Sequence, residues 1–457
     1  GGGGGGGVGR GRQHRTYSAF AWGTSKKGII PLPEILSEAA SASDGGGGAP
    51  SSSSSTATSD AMSQASSMMD RGTSFDHPRE IDASTAFGLD AGVKSLGARV
   101  VRLICGPSSS AAIVSDGSLL TWGENGYGQL GHGHANAVPR PTRVAAPEGT
   151  PLDATGVRDV SLGPTHSALI DGNGDLYTAG FGGSALNGMG MLCHGDETSR
   201  RRPALVRSLV EDGVYASQVS CGELHTTVLT TEGETLTSGG GSYGRLGNLD
   251  TTDQMFLEPV EMLEGVEITQ IAGGHAFTLA LDGAEGVVYS WGRNDKGQLG
   301  LGAGLSVDIY AMEAMPSPIE SQLEGRRVKK IAAGHSHAAA VTADGELFIW
   351  GSGAFLEPQP FPSLLHSKIV DVACGQDYTV ALAEDGRLYS VGKGKTGVLG
   401  LASVKKANQP TLVEGLASRK VVQMSAGHAH FACLVEDEEP AESGQEEKEK
   451  EGGMAKE

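Results

Sequence analysis

The sequence predicts an all-β protein, a seven-bladed β-propeller in which an N-terminal strand completes the last blade. Three observations predict it. A glycine-marked unit recurs seven times, hairpin-turn signals follow the copies, and the last copy lacks a strand whose pattern reappears near the N-terminus. The distance along the chain between successive copies is typical of propeller blades. Each blade of such a fold buries its apolar faces only against its neighbours.

The first mark of each unit is a short apolar strand that ends in glycine, with His or an aromatic residue three positions later in most copies. The marker glycines stand at positions 106, 163, 222, 274, 334, 375 and 427. The histidines that follow at the third position are His166, His225, His337 and His430. Because these histidines occupy one equivalent position in different blades, we expect them to be spread around the ring and to bond nearby backbone.

Two further marks define the other strands of a blade. An acidic residue followed by glycine, as in Asp116-Gly117, favours the positive φ angles that tight hairpins need. The next strand ends in a small residue or Trp followed by Gly, and a Gly-x-Leu-Gly turn often comes after it. All four tryptophans belong to such pairs and are predicted to be structural: Trp22, Trp122, Trp291 and Trp350.

The seventh copy explains how the ring closes. Its strand Phe431–Val435 runs directly into an acidic segment and has no Trp-Gly partner, whereas Phe20-Ala-Trp-Gly23 stands alone near the N-terminus. We therefore predict that the N-terminal strand completes the last blade, which leaves no free edge in the ring.

These marks together resemble the repeat of the regulator of chromosome condensation family. The resemblance covers residues 16–28 and about 96–435, and no Trp-Asp dipeptide of the WD type occurs. It implies a seven-bladed propeller that acts by binding and not by covalent catalysis. Mitochondrial members of the family are the relatives to expect if the N-terminus is a presequence.

The chain divides into five predicted regions. Residues 1–15 are a basic, disordered segment or a presequence remnant, and residues 16–33 contain the closing strand. Residues 34–95 form a low-complexity insert, residues 96–435 hold the blades, and residues 436–457 are an acidic disordered tail.

The charge and composition of the chain indicate which classes of partner and which cellular compartments to expect. The formal net charge is −19, so direct binding to nucleic acid is not expected. No apolar run is long enough to span a bilayer, and no transmembrane segment is predicted. The arginine-bearing, acid-free start fits either a mitochondrial presequence or a basic tail; a cytoplasmic or nuclear location is the alternative.

No cofactor, metal or catalytic site is predicted. The repeated histidines cannot converge on one ion if they are spread around a ring. Two glycine-rich segments, at 239–244 and 392–397, look like nucleotide-binding motifs but lie between strands, without the strand-to-helix context that such motifs require. No carboxylate pair outside the turns suggests acid–base chemistry.

Irregular loops are the better candidates for a partner-binding site. One is long and apolar and follows Ala179-Gly180; the other replaces a Gly-x-Leu-Gly turn in a short blade. The candidate residues are Phe181, Leu186, Met189, Met191, Leu192, Arg200, Arg201, Phe355, Leu356 and Phe361.

Two functions fit these features. The first is a non-catalytic scaffold that docks a protein or ribonucleoprotein partner on its loop faces, for example an organelle ribosome-associated complex. The alternative is a guanine-nucleotide exchange factor for a small GTPase. In family members of that kind a wedge emerges at a place similar to the loop after Gly180, although the present loop is less charged.

Overall fold

The computed structural model describes residues 17–24, 74–81, 87, 98–302, 311–364 and 366–437. Within these ranges it contains seven four-stranded antiparallel sheets and one two-stranded hairpin. The innermost strands of successive sheets contact one another in chain order, and the last contacts the first. The predicted seven-bladed propeller is therefore confirmed.

The strands and short helices have the following bounds. Two strands precede the first blade: β1 (Tyr17–Thr24) and β2 (Ser74–Ile81). Blade 1 contains β3 (Val100–Cys105), β4 (Ser109–Val114), β5 (Leu119–Gly123) and β6 (Val138–Arg143). After α1 (Leu152–Thr155), blade 2 contains β7 (Val157–Leu162), β8 (His166–Asp171), β9 (Leu176–Gly180), the hairpin β10 (Gly183–Ser184) and β11 (Gly188–Met189), and β12 (Arg200–Leu205).

The remaining blades follow in order. After α2 (Arg207–Glu211), blade 3 contains β13 (Ala216–Cys221), β14 (His225–Thr230), β15 (Thr235–Gly239) and β16 (Gln254–Pro259). Blade 4 contains β17 (Ile268–Gly273), β18 (Phe277–Asp282), β19 (Val288–Arg293) and β20 (Met312–Pro318). Blade 5 contains β21 (Val328–Ala333), β22 (His337–Thr342), β23 (Leu347–Gly351) and β24 (Phe355–Pro360). Blade 6 contains β25 (Ile369–Cys374), β26 (Tyr378–Ala383), β27 (Leu388–Lys393) and β28 (Lys406–Leu412), and blade 7 adds β29 (Lys420–Ala426) and β30 (His430–Glu436) to β1 and β2.

Blade 7 joins the two ends of the described chain. Strand β1 lies between β30 and β2, with Phe20 opposite Cys433 and Gly23 opposite His430. The Trp22 side chain is fully buried, its ring centroid lies 4.4 Å from that of Phe431, and its indole N–H donates to the Val398 carbonyl at 2.8 Å. The predicted closing strand is confirmed.

The position of strand β2 differs from the expectation for the low-complexity insert. Residues 34–95 were expected to be a low-complexity insert, but Ser74–Ile81 is the outer strand of blade 7 and pairs with β1. Pro78 fits this edge position, because proline lacks the N–H that an inner strand must donate. The expected presequence or tail at 1–15, most of the insert and residues 438–457 lie outside the described residues.

The glycines of the repeat are needed for two different reasons. The glycine that ends each third strand has a positive φ, for example 116° at Gly180, and a Cβ there would collide with the carbonyl oxygen of Thr165. The marker glycine instead leaves room for a ring: the imidazole of His225 lies against Gly222, and the ring of Phe277 lies against Gly274. This contact explains the three-residue spacing between the glycine and the ring.

Hydrogen bonds link each blade to the next. The predicted structural histidines are buried, and their Nε2 atoms lie 2.9–3.0 Å from hydroxyls of the following blade. The pairs are His166–Thr226, His225–Thr278, His337–Thr379 and His430–Ser110. The expected backbone partners are thus replaced by hydroxyl groups, because the ring reaches across the blade interface.

Candidate functional site

The two faces of the propeller differ in what they carry. Since the strands of a blade are antiparallel, the turn after its first strand and the loop between its third and fourth strands lie at the same end. We call this end the loop face. Its described loops are 124–137, 181–199, 240–253, 294–302, 352–354 and 394–405.

Exposed apolar side chains are distributed around the loop face. Each of blades 1–6 contributes at least one large hydrophobic side chain, either in the loop after its third strand or at the start of its fourth. They are Tyr127, Leu186, Leu249, Met312, Phe355 and Val404. Six of the exposed large hydrophobic side chains of the described chain therefore lie at this end of the propeller, one in each of blades 1–6.

The most exposed of these residues stands on the hairpin of blade 2. Leu186 lies between β10 and β11, and 95% of its side chain is exposed. Phe181 precedes the hairpin and packs on Tyr127 of blade 1, with ring centroids 5.4 Å apart. Met189 lies on β11, where its backbone N–H donates to Asp253 of blade 3 at 3.0 Å.

Two other candidates from the same loop are not available to a partner. Met191 and Leu192 are fully buried between blades 2 and 3, where the Met191 carbonyl accepts a hydrogen bond from Thr226 at 2.7 Å. The expectation that they contact a partner is therefore wrong. Arg200 is paired with Asp196 at 2.9 Å and holds the pKa of that carboxyl well below its usual range, whereas Arg201 is exposed.

The apolar segment of blade 5 spans the length of an outer strand. Phe355 and Leu356 are exposed at the start of β24, next to the loop face. Phe361 follows the end of β24, near the opposite face, and is half-buried. Phe355 and Phe361 nevertheless both line one apolar cleft between blades 5 and 6, whereas Leu356 lies outside it.

A polar cluster that the sequence analysis missed lies at the mouth of the central channel. Glu223 accepts a hydrogen bond from His275 at 2.9 Å. The rings of His275 and His335 lie 4.1 Å apart, and that of His428 lies 5.6 Å from His335. The signal was present in the sequence, since these residues directly follow the marker glycines.

The protonation states in this channel cluster follow from burial. Burial, and then the charge of His275, lowers the pKa of His335. Burial also lowers the pKa of His428 to about 4. Burial is the largest single effect and opposes ionisation of Glu223, but the hydrogen bond from His275 and the nearby positive groups, Arg245 among them, together outweigh it, so the net pKa is lowered. At neutral pH the cluster therefore presents a carboxylate and two neutral imidazoles, His335 and His428.

A buried arginine lies beside this cluster. Arg245 is 3% exposed; its Nε donates to the Ser242 carbonyl at 2.8 Å, and its Nη1 has no partner. The guanidinium lies 5.8 Å from the Tyr243 ring, over which Arg293 also lies at 4.8 Å. In the described chain Arg245 forms no ion pair, so the loop face holds a buried positive charge next to the channel.

In the described ranges, no group of three or more His, Cys, Asp or Glu side chains is placed to hold a metal ion. No helix in those ranges is long and apolar enough to cross a membrane.

The fold and the loop face define a glycine-marked seven-bladed propeller of the kind that works by binding. The RCC1-like domain model matches residues 68–359, and models of the regulator of chromosome condensation (RCC1) repeat match residues 369–397 and 385–434. The chain belongs to this RCC1-like family.

Individual relatives agree with this assignment. The Arabidopsis thaliana ultraviolet-B receptor UVR8 is 30% identical over 350 residues, which is 74% of this chain and 75% of UVR8. The A. thaliana RCC1 domain-containing protein RUG3, mitochondrial, is 30% identical over 346 residues, 70% of this chain and 75% of RUG3. The crystal structure of Prp20p from Saccharomyces cerevisiae superposes with a TM-score of 0.71 at 19% identity, covering 93% of each chain.

Proposed function

We propose that this chain is a non-catalytic scaffold that docks a protein partner on its loop face. The observation that supports this most directly is the hairpin β10–β11, which presents Leu186 with 95% of its side chain exposed. A leucine exposed to this extent buries almost no apolar area, so it contributes little to the stability of the fold. A large apolar group exposed at the tip of a surface loop favours a contact role.

The surroundings of the hairpin fit a protein surface better than a small-molecule pocket. The exposed apolar side chains lie around the face in separate blades, and the buried charge of Arg245 and the carboxylate of Glu223 lie closer to the channel. Apolar and polar groups spread over several blades fit the mixed composition of a protein interface, whereas small-molecule sites are concave and enclosed.

A paired capture experiment tests the proposal. The full chain, Leu186→Asp and Met262→Asp are used to capture proteins from native cells, and the bound proteins are compared by mass spectrometry. Met262 is 52% exposed on the 3-10 turn Glu261–Leu263, after the fourth strand and away from the loop face. A partner lost with Leu186→Asp and retained with Met262→Asp supports the proposal; equal recovery with both variants refutes it.

Exchange activity on a small GTPase is the second candidate function. It is favoured by one specific observation, the β-hairpin that emerges after Gly180, at a place similar to the wedge of GTPase-acting family members. Such activity requires only that the chain bind the nucleotide-free GTPase more tightly than the nucleotide-bound form.

Fluorescent GDP release measures this activity directly. A panel of small GTPases loaded with labelled GDP is mixed with the chain or with Leu186→Asp. Accelerated release from one GTPase, lost in the variant, supports exchange; unchanged release across the panel eliminates it.

A mitochondrial location with an organelle ribosome-associated complex as partner is one version of the scaffold proposal. It is supported by the basic start of the sequence and by similarity to RUG3, which is described as mitochondrial. Fractionation of native cells tests it: recovery with mitochondria supports this version, and recovery only in the nucleus or cytosol eliminates it.

A further inference from the structure

The interfaces between blades share one packing device. The loop after the third strand carries a buried leucine, and a carbonyl in the same turn accepts a hydrogen bond from the next blade. The loop leucines are at most 1% exposed at five interfaces: Leu130, Leu192, Leu246, Leu299 and Leu399. The interface between blades 4 and 5 is representative, with the Trp350 indole N–H donating to the Gln298 carbonyl at 2.9 Å.

The interface between blades 5 and 6 lacks this device. The loop of blade 5 is only Ser352-Gly353-Ala354 and contains no leucine. The hydroxyl that holds the leucine carbonyl in other blades, such as Thr121 to Leu130 at 2.9 Å, is replaced by Ile349. Blade 5 therefore has neither the turn nor the group that would anchor it.

An apolar cleft of about 320 Å³ is found where that turn would lie. Its walls include Ile349, Trp350 and Phe355 of blade 5 and Tyr378 and Val391 of blade 6. Val391 stands at the position that is tryptophan in blades 1, 4, 5 and 7, so a smaller side chain lines the cleft here.

The rim of the cleft is mainly basic. Lys393 and Lys406 of blade 6 are exposed beside it, together with one acid, Asp377. In a chain whose net charge is −19, two lysines at an apolar cleft favour an acidic ligand at this position.

We propose that this cleft binds a leucine-bearing turn of a partner protein, of the Gly-x-Leu-Gly pattern and flanked by an acidic residue. The chemistry of the occupant is given by the five equivalent interfaces, where the chain's own turn fills the same position. The inference rests on the proposed protein-binding function, and it adds the kind of segment that is recognised.

The probe is a cyclic peptide with the sequence of residues 294–302, which contains Gly297-Gln-Leu-Gly300 and Asp295. Binding of the fluorescently labelled peptide to the purified full chain is measured by anisotropy. The control peptide carries Leu299→Ala. We expect saturable binding of the first peptide and at least tenfold weaker binding of the second, because a leucine side chain fills the cleft.

Two protein variants localise the binding. Val391→Trp fills the cleft, and Ala407→Leu, at its wall, serves as a second filling variant should the first fail to fold. Val370→Trp is the matched control, since Val370 is exposed on β25 of the same blade, outside the cleft.

Loss of peptide binding in a filling variant that retains the native melting temperature, with binding retained in Val370→Trp, supports the proposal. Binding that survives filling of the cleft, equal binding of both peptides, or no binding to the native chain overturns it; the last result is also expected if another segment of this chain occupies the cleft. The titration needs no native partner, so its outcome is independent of the Leu186 capture experiment.

Discussion

Truncation of Trp22 tests whether the N-terminal strand is an integral part of the propeller. The side chain is fully buried, lies against Phe431 and donates to the Val398 carbonyl at 2.8 Å. Replacing a buried tryptophan with alanine costs about 3–5 kcal/mol, and the carbonyl left without a donor adds about 1 kcal/mol. We therefore expect Trp22→Ala to lower the free energy of unfolding by about 4–6 kcal/mol, a large fraction of the ~5–15 kcal/mol typical of a folded protein.

Urea denaturation followed by circular dichroism measures this loss. Trp22→Phe retains most of the buried ring and loses the hydrogen bond, so we expect a smaller loss of about 1–3 kcal/mol. Tyr215→Ala is the control, because Tyr215 is 47% exposed. A Trp22→Ala protein within about 0.5 kcal/mol of the native chain, the range of ordinary surface substitutions, would refute closure of the ring by β1.

Three further predictions concern stability. Burial lowers the pKa of His337 to about 4, below the ordinary value of about 6.5 that it regains on unfolding, so the unfolded chain binds more protons. Its contribution to stability is complete above pH 6.5 and falls by about 1.4 kcal/mol per pH unit down to about pH 4; denaturation across this range should show a shallower slope for His337→Phe, and an unchanged slope would contradict the assignment. Gly180→Ala should lose at least about 1 kcal/mol, since φ is 116° and a Cβ would meet the Thr165 carbonyl, whereas Gly126→Ala, with open space at its Cβ, should melt near the native temperature; equal melting of the two would contradict the role of positive φ. Leu186→Asp should change the free energy of unfolding by less than about 0.5 kcal/mol, and a larger loss would mean that the hairpin tip is part of the fold.

The ring and its closure could be predicted because the repeat requires particular residue types, above all glycine, at fixed positions of each blade. Glycine is required where a ring lies against the backbone, as at Gly222, and where φ is positive, as at Gly180. The positive φ recurs at the corresponding glycine of every blade, and the contact with a ring recurs at Gly222, Gly274, Gly334, Gly375 and Gly427. The missing strand of the last blade could be recognised because Trp22-Gly23 matches the Trp-Gly pair that ends the third strand of other blades.

Strand β2 was missed because outer strands contain neither the marker glycine nor the Trp-Gly pair. The sequence Ser74–Ile81 has no regular alternation of apolar residues, and it follows a long Ser- and Gly-rich stretch. A usable signal was present: Pro78 has counterparts in the outer strand of every other blade. Those outer-strand prolines are Pro139, Pro141, Pro203, Pro259, Pro316, Pro318, Pro358, Pro360 and Pro410. Proline is tolerated there because the outer edge needs no further donors.

The site was less predictable than the fold. The exposed position of Leu186 and the burial of Met191 and Leu192 depend on how one loop divides between a hairpin and a blade interface. The apolar composition of the loop does not show which of its residues are exposed on the hairpin and which are buried between the blades. The channel cluster of Glu223 and three histidines likewise depends on the ring bringing residues of different blades together.

Hydrogen exchange of the chain with and without its captured partner tests the central claim most directly. If the partner binds the loop face, we expect slower exchange in the loop-face segments 181–199 and 240–253 when the partner is bound, with no change in the turns at the opposite face, such as Glu232-Gly233. Slower exchange confined to the opposite face, with the loop-face segments unchanged, would show that the partner does not bind the loop face.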